Sequence, residues 1–590
     1  MSAKHEPSNL DRAAAALSAL VPFGFALART PLGATWEGDL ALLRGLALVG
    51  MPGAGGVSTL LVQLASLFPL GSLPFRAALV SAFALGLAGL VVFALARKLL
   101  LANLRTERLA PILAALASLA TTLSEPLQAE AAIVGGATIA LALGATTLLL
   151  LPRASGEDVR VQLLLGAALA ASFVENAAVG AVLLLAVGAH GLASKPRPSR
   201  KSLGMLAAGL LTTGLVFALP TLVRAFAKDG SGARDLLAGR LLFLESQRLE
   251  SSPAFVEIGA LSLAVALAGL ALGLLRPRLR AFTVALGGIV LVDALLPSLL
   301  GHGLAPLSAL ALAALFALAA LGLQTAAASL LASPSQATAA AAILLVMLNV
   351  SLVAMTAETR LLSAPSRSAE GVESVTSEAL QKLPPRAVLL VRSEPMARRL
   401  LSARLEEGAR PDVTIVPTTR LSTAGFASKL LDEEAAFMGF VRDLAMDGRP
   451  KEHSLTTLAD ARPLLLELDP SWDDRLVSHL VAEGPWLRFA PQPLGRSDRE
   501  RAFASARPSF ERALQAATRE DEKVDPATTA ILAGLLRGHA ASAGLLGDRD
   551  AALELLRELQ SLAPDDPLVA ELGQWVASPK STFRLEGRRR

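Results

Sequence analysis

The sequence predicts an α-helical polytopic membrane protein that carries a soluble C-terminal α/β domain ending in helices. Three observations support this fold class. Residues 1–358 are a series of long apolar runs joined by short loops. By contrast, the sequence after Glu358 is rich in charged residues and contains prolines. Of the 590 residues 53% are hydrophobic and only 18% are charged, below the roughly 25% of a soluble domain. Finally, the loops sort basic residues to one side of a membrane and most carboxylates to the other.

Eleven apolar runs are long enough to cross a hydrocarbon core of roughly 30 Å. The first is preceded by a basic residue, but no small-residue cleavage site closes it, so we interpret it as a helix and not as a signal peptide. The division of 160–194 into two spans decides whether the count is odd or even, and an even number of spans would reverse the side of the C-terminus. The predicted spans are 12–28, 77–96, 108–124, 129–151, 160–175, 177–194, 203–223, 254–275, 281–299, 304–324 and 338–357.

The basic residues give the orientation. With the N-terminus in the cytoplasm, all four loops that carry arginine or lysine clusters face the cytoplasm, as the positive-inside rule requires. These clusters lie within 97–108, 153–160, 195–201 and 276–280. An odd number of spans then predicts a bacterial inner-membrane protein whose C-terminal domain is extracytoplasmic, periplasmic in a Gram-negative cell. The abundance of Ala, Leu, Gly and Arg, with no Tyr, is associated with bacterial genomes rich in GC.

The same alternation brings carboxylates to the outer face. An acid near the membrane core is costly unless it is paired or hydrated, so such residues often mark functional sites. Taken singly, each acid is more typical of an ordinary interfacial position, and the functional interpretation depends on several helices bringing acids to one side. Arg234 and Arg240, in the extramembrane stretch 224–252, could pair with these acids or hold a phosphate by bidentate hydrogen bonds. The acids are Glu37, Asp39, Glu125, Glu130, Glu175, Glu257 and Asp293.

The first outer loop, 29–76, is the longest loop of the membrane half. Apolar spacing predicts two interfacial helices at 40–49 and 57–68, separated by a glycine-rich turn at 50–56. No Lys-Ser or Lys-Thr pair follows these glycines, so the turn is not a P-loop.

Several short motifs follow one another along the chain. Leu67-Phe-Pro-Leu-Gly71 and Phe75-Arg-Ala-Ala-Leu-Val-Ser81 close the first loop, and Ser124-Glu-Pro-Leu-Gln-Ala-Glu130 follows the third span. Two proline-containing segments, 383–390 and 410–416, lie in the soluble half. In this order, over roughly residues 12–500, they resemble the protein O-mannosyltransferase-like family of bacterial multi-pass membrane proteins, a domain of unknown function in the type-C glycosyltransferase superfamily.

The resemblance implies that a sugar is transferred from a polyprenyl-phosphate donor to an acceptor at the outer face. Asp39 is the first choice for the base that activates the acceptor hydroxyl, Glu37 the second, and Glu130 a supporting acid. The resemblance also implies that the donor phosphate is bound by arginines.

Arg76, Arg234 and Arg240 are the candidates for that phosphate site, and Arg76 fits a cap of the second span equally well. Where the family has His-Pro-Pro-Gly-Tyr-Pro, this chain has Gly53-Ala-Gly-Gly-Val-Ser58, of which only the Gly56 position matches. An active enzyme and a divergent or inactive one are therefore both compatible with the sequence.

Other classes of function find little support. With no cysteine, the chain has no disulfide, thiol nucleophile or cysteine metal site. His190 and His302 are isolated, so we expect no metal and no cofactor beyond the lipid-linked donor. The basic residues lie in loops and not along a stripe, which argues against a nucleic-acid partner. The expected partners are membrane lipid, the polyprenyl-phosphate sugar and an unknown acceptor.

The soluble half divides into a linker (359–380), an α/β domain (381–500) and a helical tail (501–590). Short apolar runs predict strands at 387–391, 412–416, 463–468 and 486–489, separated by helical patterns at 394–408, 423–446 and 472–483. Within the tail, 530–567 resembles one tetratricopeptide-like helix pair, which fits either partner docking or a terminal helical cap. No GxGxxG, GxSxG or HExxH motif follows a strand.

Two alternatives to the transferase remain. The first is a non-catalytic membrane scaffold with a periplasmic partner-binding domain, which the missing His and Tyr positions and the repeat-like tail favour. The second is a transporter, which the absence of a matched pair of interrupted spans in two halves of the sequence disfavours.

Overall fold

The computed structural model divides the chain into two compact units. The membrane unit comprises Met1–Thr30, Ala47–Gly232 and Phe243–Pro365, and the C-terminal unit comprises Pro31–Leu46, Ala233–Leu242 and Ser366–Arg590. The residues that the structure describes are 8–30, 36, 55–102, 109–132, 136–154, 158–194, 199–227, 253–300, 303–331, 341, 343–344, 347, 370–406, 408–421, 427, 430–432, 434–468, 472, 474–518, 526–578 and 583.

The described part of the membrane unit is helical. Its helices are α1 (Asn9–Arg29), α2 (Gly56–Ser66), α3 (Leu73–Leu101), α4 (Ala110–Thr122), α5 (Glu125–Ala132), α6 (Ala137–Ala154), α7 (Val159–Glu175), α8 (Ala177–Ala193), α9 (Arg200–Ala227), α10 (Ala254–Glu257), α11 (Ala260–Leu275), α12 (Pro277–Leu300) and α13 (Ala305–Leu331).

Helices occupy ten of the eleven predicted spans, and most of the eleventh, 338–357, lies outside the described residues. Six described helices are long and apolar enough to cross a membrane, or seven if the bent pair α4–α5 is counted as one span. One of the six, Thr528–Leu546, belongs to the C-terminal unit. The protein is thus a multi-pass, mostly helical membrane protein, and the count of eleven spans stays a prediction.

Two of the predicted spans are not continuous. The run 129–151 begins in α5, which meets α4 at 65°, and continues in α6. The run 254–275 is divided at Gly259, whose φ of +77° ends the short α10 before α11 begins. Apolar composition alone predicted single spans here because it does not register a turn that lies within a hydrophobic segment.

Glycines allow two helix pairs of the membrane unit to approach closely. Gly166 of α7 faces Gly209 of α9, and a Cβ atom at Gly166 would lie 2.1 Å from a backbone oxygen of α9. Gly269 of α11 and Gly322 of α13 form a second pair, in which a Cβ at Gly269 would lie 1.9 Å from a backbone oxygen of α13. Small residues at helix crossings are typical of membrane proteins, where close van der Waals packing replaces the hydrophobic effect between helices.

Two long helices of this unit differ in how much of their surface is buried. Helix α13 is buried along almost its whole length, whereas α9 leaves Leu211, Leu215, Val216 and Leu219 exposed. Such an aliphatic surface is suited to contact with lipid.

The C-terminal unit contains a five-stranded sheet of order β2-β1-β3-β5-β4. Strands β1 to β3 are parallel, and the β4–β5 hairpin pairs antiparallel with β3 through β5. The elements are α14 (Glu370–Gln381), β1 (Val388–Val391), α15 (Glu394–Glu406), β2 (Thr414–Pro417), α16 (Met438–Asp447), α17 (Glu452–Ala461), β3 (Leu464–Leu466), α18 (Asp474–Val477), β4 (Leu480–Glu483), β5 (Trp486–Phe489), α19 (Arg496–Thr518), α20 (Pro526–Leu546), α21 (Arg549–Leu562) and α22 (Pro567–Ala577), with 3₁₀ turns at Thr418–Arg420 and Ala435–Phe437.

The four predicted strands are present, and the helix predicted at 394–408 is confirmed as α15. The helix predicted at 472–483 is wrong for its second half, which forms β4 as the partner of β5. The helix predicted at 423–446 is interrupted: residues 427 and 430–432 are helical, a 3₁₀ turn follows at Ala435–Phe437, and α16 begins at Met438. Helix α17 was not predicted.

Part of the predicted linker is also ordered. Residues 370–381 form α14, and its Val372, Val375, Ala379 and Leu380 are buried in the core of the C-terminal unit. The high Ser and Glu content of this segment obscured the helical spacing of these four apolar residues. Apolar residues of α20, α21 and α22 share the same core as the sheet.

Candidate functional site

The first feature of the candidate site is a buried carboxylate at the start of α2. Glu175, at the end of α7, is 1% exposed. Its Oε2 accepts the backbone N–H of Ser58 at 2.8 Å, and its other oxygen accepts the Ser58 hydroxyl. The Gly55 N–H donates to the backbone carbonyl of Glu175 at 2.8 Å. Because Gly55 precedes α2 and has no side chain, Glu175 supplies the N-cap from another helix.

A second buried acid of the membrane unit has the same role. Asp293 of α12 is 2% exposed, and its Oδ2 accepts the N–H of Ala254 at 2.8 Å, at the first residue of α10. Its Oδ1 accepts the Ser308 hydroxyl of α13 at 2.7 Å. Both acids thus hold the ends of helices within the membrane unit, which explains how carboxylates are accommodated at these buried positions.

The turn between α4 and α5 places further polar groups near the end of α1. Glu125 begins α5 and interacts electrostatically with Arg29, the last residue of α1. Gln128 donates through Nε2 to the Thr122 carbonyl at 2.9 Å and so fixes the turn. Glu130, the predicted supporting acid, lies on α5 and is 8% exposed. Since α5 packs against α1 and α3, these groups lie at one end of the membrane unit.

Two arginines lie at that same end. Arg76, in the first turn of α3, donates through Nη1 to the Ser66 carbonyl at 2.7 Å and through Nη2 to the Gly71 carbonyl at 3.2 Å. Arg29 ends α1, the helix that packs against α3. The buried Nε of each arginine makes no hydrogen bond within the described part of the chain. Arg76 therefore fixes the 66–71 turn.

The first outer loop is anchored in the C-terminal unit. Trp36 is 2% exposed, belongs to the core of that unit, and donates from Nε1 to Thr528 Oγ1 on α20 at 2.7 Å. Trp36 directly precedes Glu37 and lies three residues before Asp39. This contact was not predicted, because a lone tryptophan in a loop is equally compatible with an interfacial position.

The remaining predicted site residues lie outside the described residues. These are the proposed bases Asp39 and Glu37 and the proposed phosphate ligands Arg234 and Arg240. His302 is also outside, and among the described residues no group of three His, Asp or Glu side chains is placed to hold a metal ion. Sequence reasoning missed Ser58 and Arg29; the position of Arg29 at a span boundary was the available signal.

The comparisons with known proteins bear on the fold. No family model and no curated protein matches the chain. Among solved structures, ArnT from Cupriavidus metallidurans bound to undecaprenyl phosphate aligns with a TM-score of 0.50 and 16% identity, over 80% of this chain and 96% of that one. ArnT from the same organism in the apo state aligns with a TM-score of 0.44 and 17% identity, over 71% of this chain and 94% of that one.

The chain therefore has a fold similar to that of ArnT. Membership of the type-C glycosyltransferase superfamily and of the narrower O-mannosyltransferase-like family stays a prediction. At this level of identity the similarity carries no residue assignment, so the roles of Asp39, Glu37, Glu130 and the arginines are considered below as proposals.

Proposed function

We propose that this protein transfers a sugar from a polyprenyl-phosphate donor to an acceptor at the extracytoplasmic face of the bacterial inner membrane. The observation that carries the proposal is the fold, which aligns over most of the chain with an ArnT structure that contains undecaprenyl phosphate. The long acidic first loop and the ordered motifs of the sequence agree with it.

In this proposal Asp39 removes the proton from the acceptor hydroxyl, Glu37 is the alternative base, and Glu130 supports the site. Arg76, with Arg234 and Arg240 from the 224–252 stretch, stabilises the negative charge on the leaving phosphate. Arg29 joins this set, because it ends α1, which packs against α3, and interacts electrostatically with Glu125 at the start of α5.

The extracytoplasmic placement is supported by the membership of residues 31–46 in the C-terminal unit. These residues follow the first span, and Trp36 is buried in the core of that unit. A segment and the domain whose core it completes lie on the same side of a membrane. If the N-terminus is cytoplasmic, as the basic loops predict, both are extracytoplasmic.

The proposal is tested by transfer or hydrolysis assays on the full chain in liposomes that contain a radiolabelled polyprenyl-phosphate sugar. Asp39→Asn should reduce product formation by at least about 100-fold, the lower bound typical of general-base loss, and Glu37→Gln should have the smaller effect. Asp158→Asn is the matched control, because Asp158 caps α7 by accepting the Arg160 N–H and asparagine caps equally well. Full activity of both loop variants would remove the catalytic assignment.

The missing histidine and tyrosine of the first-loop motif favour a second candidate, a membrane scaffold. Deletion of 501–590 is a poor test of it, because α20 to α22 share one core with the sheet. Native mass spectrometry with undecaprenyl phosphate separates the two candidates instead. A transferase binds the lipid and loses affinity in Arg29→Ala or Arg76→Ala, whereas a scaffold shows the same weak binding in all variants.

A further inference from the structure

Three basic side chains lie together at one end of the membrane unit, far from the arginines proposed to bind the donor phosphate. Lys98 is in the last turn of α3, Arg153 in the last turn of α6 and His190 in the last turn of α8. We name these three residues the Lys98 cluster. On α3, Lys98 follows Arg76 by a distance of about 33 Å along the helix axis, at 1.5 Å per residue. The Lys98 cluster is therefore separate from the site proposed for sugar transfer.

Contacts between α3, α6 and α8 bring the three side chains together. Lys98 donates from Nζ to the Leu149 carbonyl oxygen of α6 at 3.1 Å. Arg153 is one helical turn after Leu149 on the same face of α6, and it interacts electrostatically with Lys98. Helix α8 packs against α6, and His190 also interacts electrostatically with Lys98. The Ser194 hydroxyl oxygen lies 3.4 Å from His190 Nδ1 and helps to orient the ring.

The Lys98 cluster has no carboxylate partner in the described part of the chain. The adjacent residue Arg97 differs, because its Nε donates to Asp11 Oδ1 of α1 at 2.6 Å. Within the cluster, His190 is buried, Lys98 is half-buried and Arg153 is exposed. Like charges that are partly removed from water repel each other unless an anion neutralises them. The exposed Arg153 makes the cluster accessible to an anion from outside the chain.

The position of the Lys98 cluster favours a lipid as the source of this anion. Helix α3 is long and apolar enough to cross a membrane, so its last turn is expected at the depth of the phospholipid headgroups. Basic pockets between membrane helices are known to bind the headgroups of anionic lipids. Helix α8 also exposes Leu185 and Leu192, which lie two turns apart on one face. A phosphate at the cluster and acyl chains along this aliphatic face fit one phospholipid molecule.

We infer that the Lys98 cluster binds the phosphate of an anionic phospholipid, with the acyl chains along the exposed face of α8. In this site Arg153 donates hydrogen bonds to two phosphate oxygens, Lys98 supplies the second positive charge, and His190 lines the buried side. With the orientation predicted from the basic loops, the lipid belongs to the cytoplasmic leaflet. The inference is independent of sugar transfer, since none of these residues is proposed for that reaction.

The test is native mass spectrometry of the full-length protein in detergent with dioleoyl phosphatidylglycerol. Dioleoyl phosphatidylcholine is the zwitterionic comparison with the same acyl chains, and the wild type should bind it at least about fivefold more weakly. Arg153→Gln and Lys98→Gln should each weaken phosphatidylglycerol binding by about fivefold, and the double variant by about 25-fold. Arg153→Lys keeps the positive charge and should retain most of the binding.

Lys201→Gln is the matched control, because Lys201 is an exposed lysine in the first turn of α9 and lies outside the Lys98 cluster. This variant should bind phosphatidylglycerol as the wild type does. Thermal unfolding should be unchanged in Arg153→Gln, since the exposed Arg153 side chain forms no hydrogen bond or ion pair within the described residues. A loss of binding in that variant would therefore not result from misfolding.

Equal binding of the two lipids by the wild type would overturn the inference. Equal losses in Arg153→Gln and Lys201→Gln would also overturn it, because the basic residues would then act only through the overall charge of this face. Complete displacement of phosphatidylglycerol by millimolar inorganic phosphate would identify a site for free phosphate and would overturn the lipid assignment.

Discussion

The membrane unit and the C-terminal unit use the same device at different degrees of burial. In the membrane unit, Glu175 reaches from α7 to cap α2 and is 1% exposed. In the C-terminal unit, Glu467 follows β3 and accepts the N–H groups of Arg392 and Ser393, at 3.0 and 2.8 Å, just before α15 begins. Glu467 is only half-buried.

The difference shows where such a cap matters most. If the Glu467 carboxylate is removed, water can bind the N–H groups of Arg392 and Ser393. No water replaces Glu175 in a fully buried environment, so each N–H would remain without a partner. The first loop has a contact within each unit. Trp36 lies in the core of the C-terminal unit, and the Gly55 N–H donates to the Glu175 carbonyl in the membrane unit.

The largest effect is expected at Trp36. Trp36→Ala removes a buried indole and its hydrogen bond to Thr528, and should destabilise the C-terminal unit by about 3–5 kcal/mol. Trp36→Phe keeps most of the buried area and should cost less, about 1–2 kcal/mol. Chemical unfolding monitored by circular dichroism in detergent measures both. If Trp36→Ala unfolds with the wild-type midpoint, the anchor of the first loop is wrong.

Glu175→Ala should have the next largest effect, and it tests the comparison directly. It leaves the N–H of Ser58 and its hydroxyl unsatisfied, at a cost of about 2–4 kcal/mol, whereas Glu467→Ala should cost about 1 kcal/mol because solvent replaces the carboxylate. Thermal unfolding measures the loss of stability in both variants, and limited proteolysis near residues 50–56 tests the effect of Glu175→Ala. Equal effects of the two substitutions would show that burial does not distinguish the caps.

A smaller and pH-dependent effect is expected from His539 in the C-terminal unit. Burial lowers the pKa of its imidazole to about 4, below the roughly 6.5 of an unfolded chain. Between these values the unfolded chain binds the extra proton, so stability is lost as the pH falls below about 6.5, by about 2 kcal/mol at pH 5. His539→Gln should reduce this dependence in urea unfolding at pH 7 and pH 5. An unchanged pH dependence would contradict the assignment.

The sequence predicted the elements whose patterns are local. Continuous apolar runs identified ten helical regions, and the apolar runs 387–391 and 486–489 identified β1 and β5. The break at Gly259 and the strand β4 were missed, because the first depends on one backbone angle and the second on pairing with β5. Local composition records neither of these.

The candidate site was predictable only in part. The alternation of spans predicted Glu175 and Asp293 on one face of the membrane, and that placement stays a prediction. Their capping roles depend on Ser58, Ala254 and Ser308, which are distant in sequence. The contact between Trp36 and Thr528 joins residues 492 positions apart. No periodicity or motif encodes such a pair.

The proposed transferase requires that the first loop and the C-terminal unit lie outside the cytoplasm. The chain has no cysteine, so single cysteines can be introduced for labelling without a background. We predict that Ser497→Cys, at an exposed position of α19, reacts with a membrane-impermeant maleimide in intact spheroplasts, and that Ser199→Cys, within a predicted cytoplasmic loop, reacts only after lysis. Labelling of Ser199→Cys in intact spheroplasts, with Ser497→Cys protected until lysis, would contradict both the orientation and the proposed transferase.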